Sequence, residues 1–138
     1  MKRNIAIITL ITFLTGTVLL ANTLGLSDNG DGTWNVNYVS DGDIAGFQFN
    51  VDGATVNGAS GGDAGAAGFM ISTSSSMALG FSLSGATLPA GSGILTNLDV
   101  DTGESTELCL QNVIIADPLS NTINTCPEYW QLTCISIP

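Results

Sequence analysis

A regular alternation of large apolar and polar side chains constrains the fold of this chain more than any other feature. It is cleanest at residues 47–52, where the sequence reads Phe47-Gln48-Phe49-Asn50-Val51-Asp52. Successive side chains of a β-strand point to opposite sides of a sheet, so the three apolar residues share one side and the three polar residues share the other. The pattern predicts a half-buried β-strand whose apolar side faces a core.

Similar short runs recur along the chain, separated by segments rich in Gly, Asp, Ser and Pro. Further strands are predicted at Thr33–Val39, Ala54–Val56, Phe69–Ser72, Met77–Leu83, Ile94–Val100, Leu108–Ile115 and Leu132–Ile137. About seven to nine short strands without a convincing amphipathic helix are typical of an antiparallel β-sandwich. We therefore predict an all-β, immunoglobulin-like sandwich, with jelly-roll topology as an alternative arrangement of its strands.

Large apolar residues on several of these strands are expected to form one core. They are Trp34, Phe47, Phe49, Phe69, Phe81, Leu83 and Leu98. The run Met77–Leu83 has a large side, which includes Phe81 and Leu83, and a small side, which includes Gly80. Its small side would let another group pack closely above it.

Two segments carry more local expectations. The run Ile94–Val100 is expected to point Ile94, Thr96, Leu98 and Val100 inward. Asn57–Gly68 is rich in Gly, Ala and Ser, which predicts a loop. The alternative for this segment is a short helical turn over Asp63–Ala67, which the alanines permit and the glycines weaken.

The N-terminus has the features of an export signal. Two basic residues precede an almost wholly apolar run at residues 5–20, and Ala21 is a small residue suited to signal-peptidase cleavage. We predict that residues 1–21 are a signal peptide and that residues 22–138 are one secreted or cell-surface domain. The alternative is a retained anchor, although the apolar run is shorter than the roughly 20 residues of a full membrane span.

The charges of the predicted domain are all of one sign. Lys2 and Arg3 are the only basic residues of the chain, there is no histidine, and all 12 acidic residues follow Arg3. A surface of this kind repels polyanions, so nucleic acid is excluded as a partner. For the same reason, an anionic membrane surface is not expected as a partner after signal cleavage.

The same composition argues against an enzyme. Without histidine, lysine or arginine, the domain has no histidine base for a serine nucleophile, no oxyanion-stabilising arginine and no Schiff-base lysine. Only a glycosidase with two carboxylates would be chemically feasible, and a small sandwich seldom provides the cleft that it needs. We predict a non-catalytic binding protein that requires no cofactor, with calcium as an optional ligand.

Three segments in order resemble the cohesin-like branch of secreted bacterial β-sandwiches. They are Ile44–Phe49, Leu79–Gly85 and Leu88–Leu95, and the resemblance covers residues 34–115. In cohesins, an early strand with a Phe-x-Phe pair is followed by a long excursion, and a glycine-closed loop then leads into the next core strand. The resemblance implies a β-sandwich with a protein partner, because cohesins bind dockerins, the small calcium-loaded modules of secreted enzymes.

Four oxygen-bearing residues form a candidate calcium site. Asn97, Asp99 and Asp101 alternate along one predicted strand and therefore project from the same side, and Glu104 follows in the next turn. Calcium binds carboxylate and amide oxygens, so this set has suitable ligands. The alternative is the ordinary solvent side of an antiparallel strand, which has the same alternation.

Two further groups of residues are candidates for binding. Gln48, Asn50 and Asp52 form the polar side of the strand at 47–52 and would contact a partner there. Tyr129 and Trp130 lie in a polar segment and would stack on sugar rings. The alternative for the two aromatic residues is that they cover one end of the sandwich.

The three cysteines are Cys109, Cys126 and Cys134. In an oxidising compartment, one disulfide and one remaining thiol is the simplest arrangement. A bond between Cys109 and Cys134 would join two strands, whereas a bond between Cys126 and Cys134 would close a short hairpin. Both pairings agree with the sequence.

Together these features predict a secreted, non-catalytic module that recognises a dockerin-like protein or a polysaccharide outside the cell. One alternative is a self-assembling subunit of a fibre, sheath or surface layer, because a chain rich in Gly, Ser and Ala with an available edge strand suits self-association. Another is a dedicated carbohydrate-binding module that uses Tyr129 and Trp130.

Overall fold

The structure, a computed structural model, describes residues 22–119 and 133–137. Within these residues it has nine β-strands and one short helix. The elements are β1 (Thr23–Asp28), β2 (Thr33–Ser40), β3 (Gly46–Asp52), β4 (Thr55–Ser60), α1 (Gly62–Ala66), β5 (Met70–Ser74), β6 (Met77–Phe81), β7 (Gly91–Asp101), β8 (Glu107–Ala116) and β9 (Thr133–Ser136). In this part of the chain, no helix has the length and apolar character needed to cross a membrane.

Two sheets form a β-sandwich. The four-stranded sheet has the order β1-β2-β7-β4, and the five-stranded sheet has the order β5-β6-β3-β8-β9. All neighbouring strands pair antiparallel. Buried side chains of both sheets form one continuous core, as expected when each sheet has one apolar side. The predicted all-β antiparallel sandwich is confirmed.

The strand predicted at residues 47–52 is β3, and its apolar side is buried. Phe47, Phe49 and Val51 all lie in the core. The ring of Phe47 stacks against Phe49 and Phe69, with centroid distances of 6.0 and 6.4 Å. Because protein interiors are densely packed, these rings leave little room for large residues on the neighbouring strand.

The orientation of β6 differs from the expected one for this reason. Gly80 pairs with Phe47 and Ala78 pairs with Phe49, and residues that pair directly across two strands point to the same side of the sheet. The ring of Phe47 occupies the space that a Cβ atom on Gly80 would need. The small residues of β6 therefore face the core, and its large residues face outward.

Two residues expected in the core consequently lie elsewhere. Phe81 is only half-buried on the outward side of β6, and Leu83, beyond the end of that strand, is 79% exposed. Their expected core positions are wrong because the rings of Phe47 and Phe49 fill the space beneath β6. The other expected core residues are buried; they are Trp34, Phe47, Phe49, Phe69 and Leu98.

A β-bulge changes which residues of β7 point inward. The register between β2 and β7 shifts so that two consecutive residues of β2 pair with Thr96 and Ile94. Leu95, between them, is fully buried, and Ile94 is exposed. The expected inward position of Ile94 is wrong, because the extra residue interrupts the alternation. Thr96, Leu98 and Val100 are buried as expected.

The Gly-, Ala- and Ser-rich segment contains regular structure. Strand β4 continues to Ser60, and α1 begins at Gly62, one residue before the helical turn considered from the sequence. Gly62 has a φ of 68°, and a Cβ atom there would overlap the backbone of Leu95. Glycine permits this close approach of α1 to β7. In this position of α1, the Asp63 carboxylate accepts a hydrogen bond of 2.9 Å from the hydroxyl of Tyr38.

Candidate functional site

The outward side of the five-stranded sheet is the candidate site. At its centre, Gln48 of β3 pairs with Leu79 of β6 on one side and with Ile114 of β8 on the other. These three side chains point away from the core, because directly paired residues share a side of the sheet. We call this side the outer β3 face, and its main residues are Gln48, Asn50, Asp52, Met70, Leu79, Phe81, Gln111 and Ile114.

Four large apolar residues gather at one end of the outer β3 face. They are Met70, Leu79, Phe81 and Ile114, and we call them the apolar corner. Met70 of β5 pairs with Phe81 of β6. Met70 and Ile114 are exposed, while Leu79 and Phe81 are half-buried. A shallow depression of about 210 Å³ lies among Leu79, Phe81 and Ile114.

Further exposed apolar residues follow the ends of the strands. Six large apolar side chains are exposed in the described part of the chain, and four of them lie at or beyond this end of the sheet: Met70, Leu83, Ile114 and Leu119. Leu83 follows the end of β6, and Leu119 follows the end of β8. A second depression of about 340 Å³ adjoins the first at Phe81 and Ala116. Concentrated exposed apolar surface of this kind is typical of an interaction site.

The predicted binding residues Gln48, Asn50 and Asp52 lie in line on this face. The Asn112 amide donates a hydrogen bond of 3.3 Å to the Asn50 side-chain oxygen, and the Asn50 amide donates one of 3.4 Å to the Ser76 carbonyl. Asp52 is exposed and pairs with Cys109. The structure therefore places all three predicted residues on one side of β3.

Sequence reasoning missed the apolar half of this site. Leu79, Phe81 and Ile114 were expected in strands but not on a binding surface. For Leu79 and Phe81, the signal that identifies them is a conflict between β3 and β6. The rings of Phe47 and Phe49 and the large side of β6 cannot both occupy the same layer of the core.

The four calcium candidates are divided between two places. Asn97 and Asp99 line a depression of about 310 Å³ on the four-stranded sheet. Asp101 and Glu104 line a separate depression of about 430 Å³ beyond the end of β7. The Asn97 amide donates a hydrogen bond to the Asn35 side-chain oxygen. Asp101 accepts a hydrogen bond of 2.9 Å from the Gly103 backbone within its own turn.

A compact set of metal-ligating groups occurs elsewhere. Among the described His, Cys, Asp and Glu residues, the only three whose ligand atoms all lie within 4.8 Å of one another are Glu107, Cys109 and Cys134. Two of these are cysteines joined in a disulfide, so their sulfurs are not thiolate ligands. The calcium site at Asn97, Asp99, Asp101 and Glu104 stays a prediction.

Of the two disulfide pairings consistent with the sequence, the structure has Cys109–Cys134. These cysteines pair directly across β8 and β9, so the bond joins the edge strand to its neighbour. Cys126, Tyr129 and Trp130 lie outside the described residues. The binding role of the two aromatic residues stays a prediction.

Among the titratable groups of the described residues, Tyr38 is the most strongly perturbed, and it lies away from the outer β3 face. Burial of Tyr38, together with the adjacent Asp63 carboxylate that accepts its hydrogen bond, raises the pKa of Tyr38 to about 12. The phenol therefore stays neutral to a higher pH than that of an ordinary tyrosine. Tyr38 joins β2 to α1 and has a structural role.

The architecture is similar to that of known cohesins. A non-cellulosomal cohesin from the hyperthermophilic archaeon Archaeoglobus fulgidus aligns with a TM-score of 0.59 at 14% identity, covering 86% of this chain and 91% of the other. The protein CaCohA2, in its complex with CaDoc0917, aligns with a TM-score of 0.51 at 15% identity, covering 85% of this chain and 99% of the other. The fold is cohesin-like.

This cohesin-like fold confirms the resemblance that the three segments indicate. The first segment contains the start of β3, and the second contains the end of β6. In the third, Leu88 forms a bridge with Ile44 through two backbone hydrogen bonds of 2.8 Å, and β7 follows. No protein-family model matches the sequence, and no curated protein matches it either.

Proposed function

We propose that this chain is a non-catalytic protein-binding module whose contact surface is the outer β3 face. The observation that carries the proposal is the apolar corner, where Met70 and Ile114 are exposed beside the half-buried Leu79 and Phe81. Covering apolar surface is favourable by about 25 cal/mol per Å². A cluster of such side chains on one sheet therefore supports the proposal that a partner binds to this surface and covers it.

The polar residues next to the apolar corner support a protein as the partner. Gln48 and Asn50 on β3 and Gln111 on β8 provide amide donors and acceptors on the same side of the sheet. A hydrophobic centre bordered by hydrogen-bonding groups is typical of protein–protein interfaces.

The partner we propose is a dockerin-like module of a secreted protein, bound outside the cell. CaCohA2, which has a similar fold, is in a complex with CaDoc0917. The signal peptide predicted at residues 1–21 supports an extracellular location. The Cys109–Cys134 disulfide also supports it, because disulfides persist in oxidising compartments.

A matched pair of charge substitutions tests this function. Ile114→Glu places a carboxylate in the apolar corner, and Val39→Glu places the same group on the outward side of the four-stranded sheet. The two positions are comparable, because Ile114 is 44% exposed, Val39 is 42% exposed, and both lie on interior strands. Circular dichroism and thermal unfolding establish that each variant folds.

Binding is measured by surface plasmon resonance against a panel of purified dockerin-bearing proteins. We expect Ile114→Glu to weaken binding by at least about tenfold, because a carboxylate at the centre of an interface loses its hydration. Val39→Glu should change the Kd by less than about twofold. Equal effects of the two substitutions would contradict the choice of face. Filaments of the purified protein would instead favour a structural subunit, and retention on a polysaccharide gel would favour a carbohydrate-binding module.

A further inference from the structure

The chemistry of the outer β3 face changes along β3. Gln48 lies at the apolar corner between Leu79 and Ile114, Asn50 follows, and Asp52 is the last residue of the strand. A strand rises about 3.3 Å per residue, so about 13 Å separates the Cα atoms of Gln48 and Asp52. The face therefore has an apolar end and an acidic end with a set distance between them.

A second carboxylate lies at the acidic end. Asp52 pairs with Cys109 of β8, and Glu107 lies two residues before Cys109, on the same side of the strand. A carboxylate oxygen of Glu107 lies within 4.8 Å of both sulfurs of the Cys109–Cys134 disulfide. Asp52 and Glu107 are both exposed. The disulfide holds β9 against β8 at this end of the face.

The described part of the chain has no cation that could neutralise these carboxylates. Residues 22–119 and 133–137 include no lysine, arginine or histidine. A partner that covers the outer β3 face borders or buries Asp52 and Glu107, and a carboxylate that loses water without gaining a counter-charge is costly. A partner with cationic side chains at this position avoids that cost and is attracted to the face from a distance.

A second copy of the chain is a poor match for the same face. In a symmetric dimer, each outer β3 face would lie on another with the same arrangement of charges. One orientation places acidic ends against each other. The other places each acidic end over an apolar corner, which removes hydration from Asp52 and Glu107 without pairing them. Both arrangements favour a different protein as the partner.

We propose that the partner of this chain is a protein whose contact surface carries an apolar anchor and, about 13 Å away, lysine or arginine side chains. The anchor covers the apolar corner and the cations lie over Asp52 and Glu107. This inference rests on the proposed function of the outer β3 face and adds the chemistry and polarity of what binds there.

The test uses clones selected on the parent protein from a phage-displayed library of a small helical scaffold with randomised surface residues. Clones whose binding depends on Ile114 are identified because they no longer bind the Ile114→Glu variant. Their affinities are then measured for Asp52→Asn combined with Glu107→Gln. Asp28→Asn combined with Asp31→Asn is the matched control, because it removes two charges at the other sheet, one from the last residue of β1 and one from the turn that follows it.

We expect the Ile114-dependent clones to be enriched in lysine and arginine over the starting library. Removing Asp52 and Glu107 should weaken them by at least about fivefold at low salt, with less than about twofold loss in the control. The difference should shrink in about 0.5 M salt, where exposed charges are screened. Clones that require Ile114 but bind the Asp52/Glu107 variant as tightly as the parent would overturn this inference.

The outcomes separate the inference from the proposed function. If the selected clones and the dockerin panel all bind Ile114→Glu as well as the parent, the proposed function fails together with the inference. If the parent forms a dimer in analytical ultracentrifugation that Ile114→Glu dissociates, the occupant is a second copy and the inference fails. If the clones require Ile114 but lose the same affinity when Asp52 and Glu107 are neutralised as when Asp28 and Asp31 are neutralised, the charges act only as a general attraction to an acidic protein. That outcome also contradicts the inference.

Discussion

The outward sides of the two sheets differ in chemistry, although both sheets pack on the same core. On the four-stranded sheet, the Asn35 side-chain oxygen accepts hydrogen bonds from the amides of Asn29, at 3.0 Å, and Asn97. The Asn37 amide donates one of 3.1 Å to the Ser27 hydroxyl. On the five-stranded sheet, the corresponding surface includes the apolar corner.

This difference distinguishes a solvent-facing surface from a candidate interface. Polar side chains that pair with one another and with water are the usual outward side of an antiparallel sheet. Large apolar side chains in water carry an unfavourable hydration free energy that a partner removes. The two sheets are also held differently, because the described part of the five-stranded sheet contains the Cys109–Cys134 disulfide at its edge.

The largest change in stability is expected from loss of that disulfide. It links residues 25 apart in sequence, and a cross-link over this separation stabilises a fold by about 3 kcal/mol, mainly by restricting the unfolded chain. Cys109→Ser combined with Cys134→Ser should therefore lower the free energy of unfolding by about 3 kcal/mol in urea titrations. Ser136→Ala, at an exposed position of β9, should change it by less than about 0.5 kcal/mol. Equal stability of the double variant and the parent would mean that the bond does not stabilise this sheet.

A smaller loss is expected when a methyl group is added to the inward side of β6. Gly80→Ala would place a Cβ atom in the ring of Phe47, and overpacking of this kind costs about 1–3 kcal/mol. Gly25→Ala is the control, because no atom lies within 4 Å of a Cβ at that position of β1. Chemical unfolding of both variants tests the orientation of β6. If Gly80→Ala is as stable as Gly25→Ala, Leu79 and Phe81 do not face outward and the apolar corner does not exist.

Removing the acceptor at the centre of the polar network should have a still smaller effect. Asn35→Ala leaves the amides of Asn29 and Asn97 without that acceptor, at a cost of about 1 kcal/mol. Asn57→Ala, at an exposed position of β4, should be nearly neutral. Binding of the dockerin panel should be unchanged by both. If Asn35→Ala loses binding while it is fully folded, the interface lies on the four-stranded sheet and the choice of the outer β3 face is wrong.

The mildest test concerns Tyr38, whose hydroxyl joins β2 to α1. Its pKa is raised from 10.0 to about 12 by burial and by the Asp63 carboxylate. The unfolded chain therefore releases this proton near pH 10, whereas the folded chain retains it until near pH 12. The contribution of Tyr38 to stability is complete below pH 10 and is lost as the pH rises through this window. Thermal unfolding between pH 9 and 12 should show a flatter decline for Tyr38→Phe than for the parent, and parallel curves would contradict the shift.

Much of β3 could be predicted from the sequence, whereas the partner strand β6 could not. In β3, Phe47 and Phe49 alternate with polar residues, so only one side suits a core. In β6, one side is large and the other is small, and neither is strongly polar. Periodicity identifies the two sides of such a strand but does not select the buried one. The rings of β3 make that selection, which is why Gln48 was identified as a binding residue and Leu79 was not.

The disulfide and the bulge in β7 illustrate the same limit. Cys109 and Cys134 become neighbours because β9 pairs with β8 in a particular register, and sequence spacing does not specify that register. Leu95 replaces Ile94 in the core because of a local register shift against β2. Both depend on contacts between segments that are distant in the chain.

Composition and periodicity were sufficient for the all-β class and for the single sign of charge beyond Arg3. These properties depend on which residues are present and on local alternation, so they can be read without a fold. The tertiary structure alone decided which side of β6 is buried and which cysteines bond. It also decided that the apolar corner and the acidic end lie on one face of the five-stranded sheet. Each of those outcomes depends on how the strands pair and on how the volume between the sheets is filled.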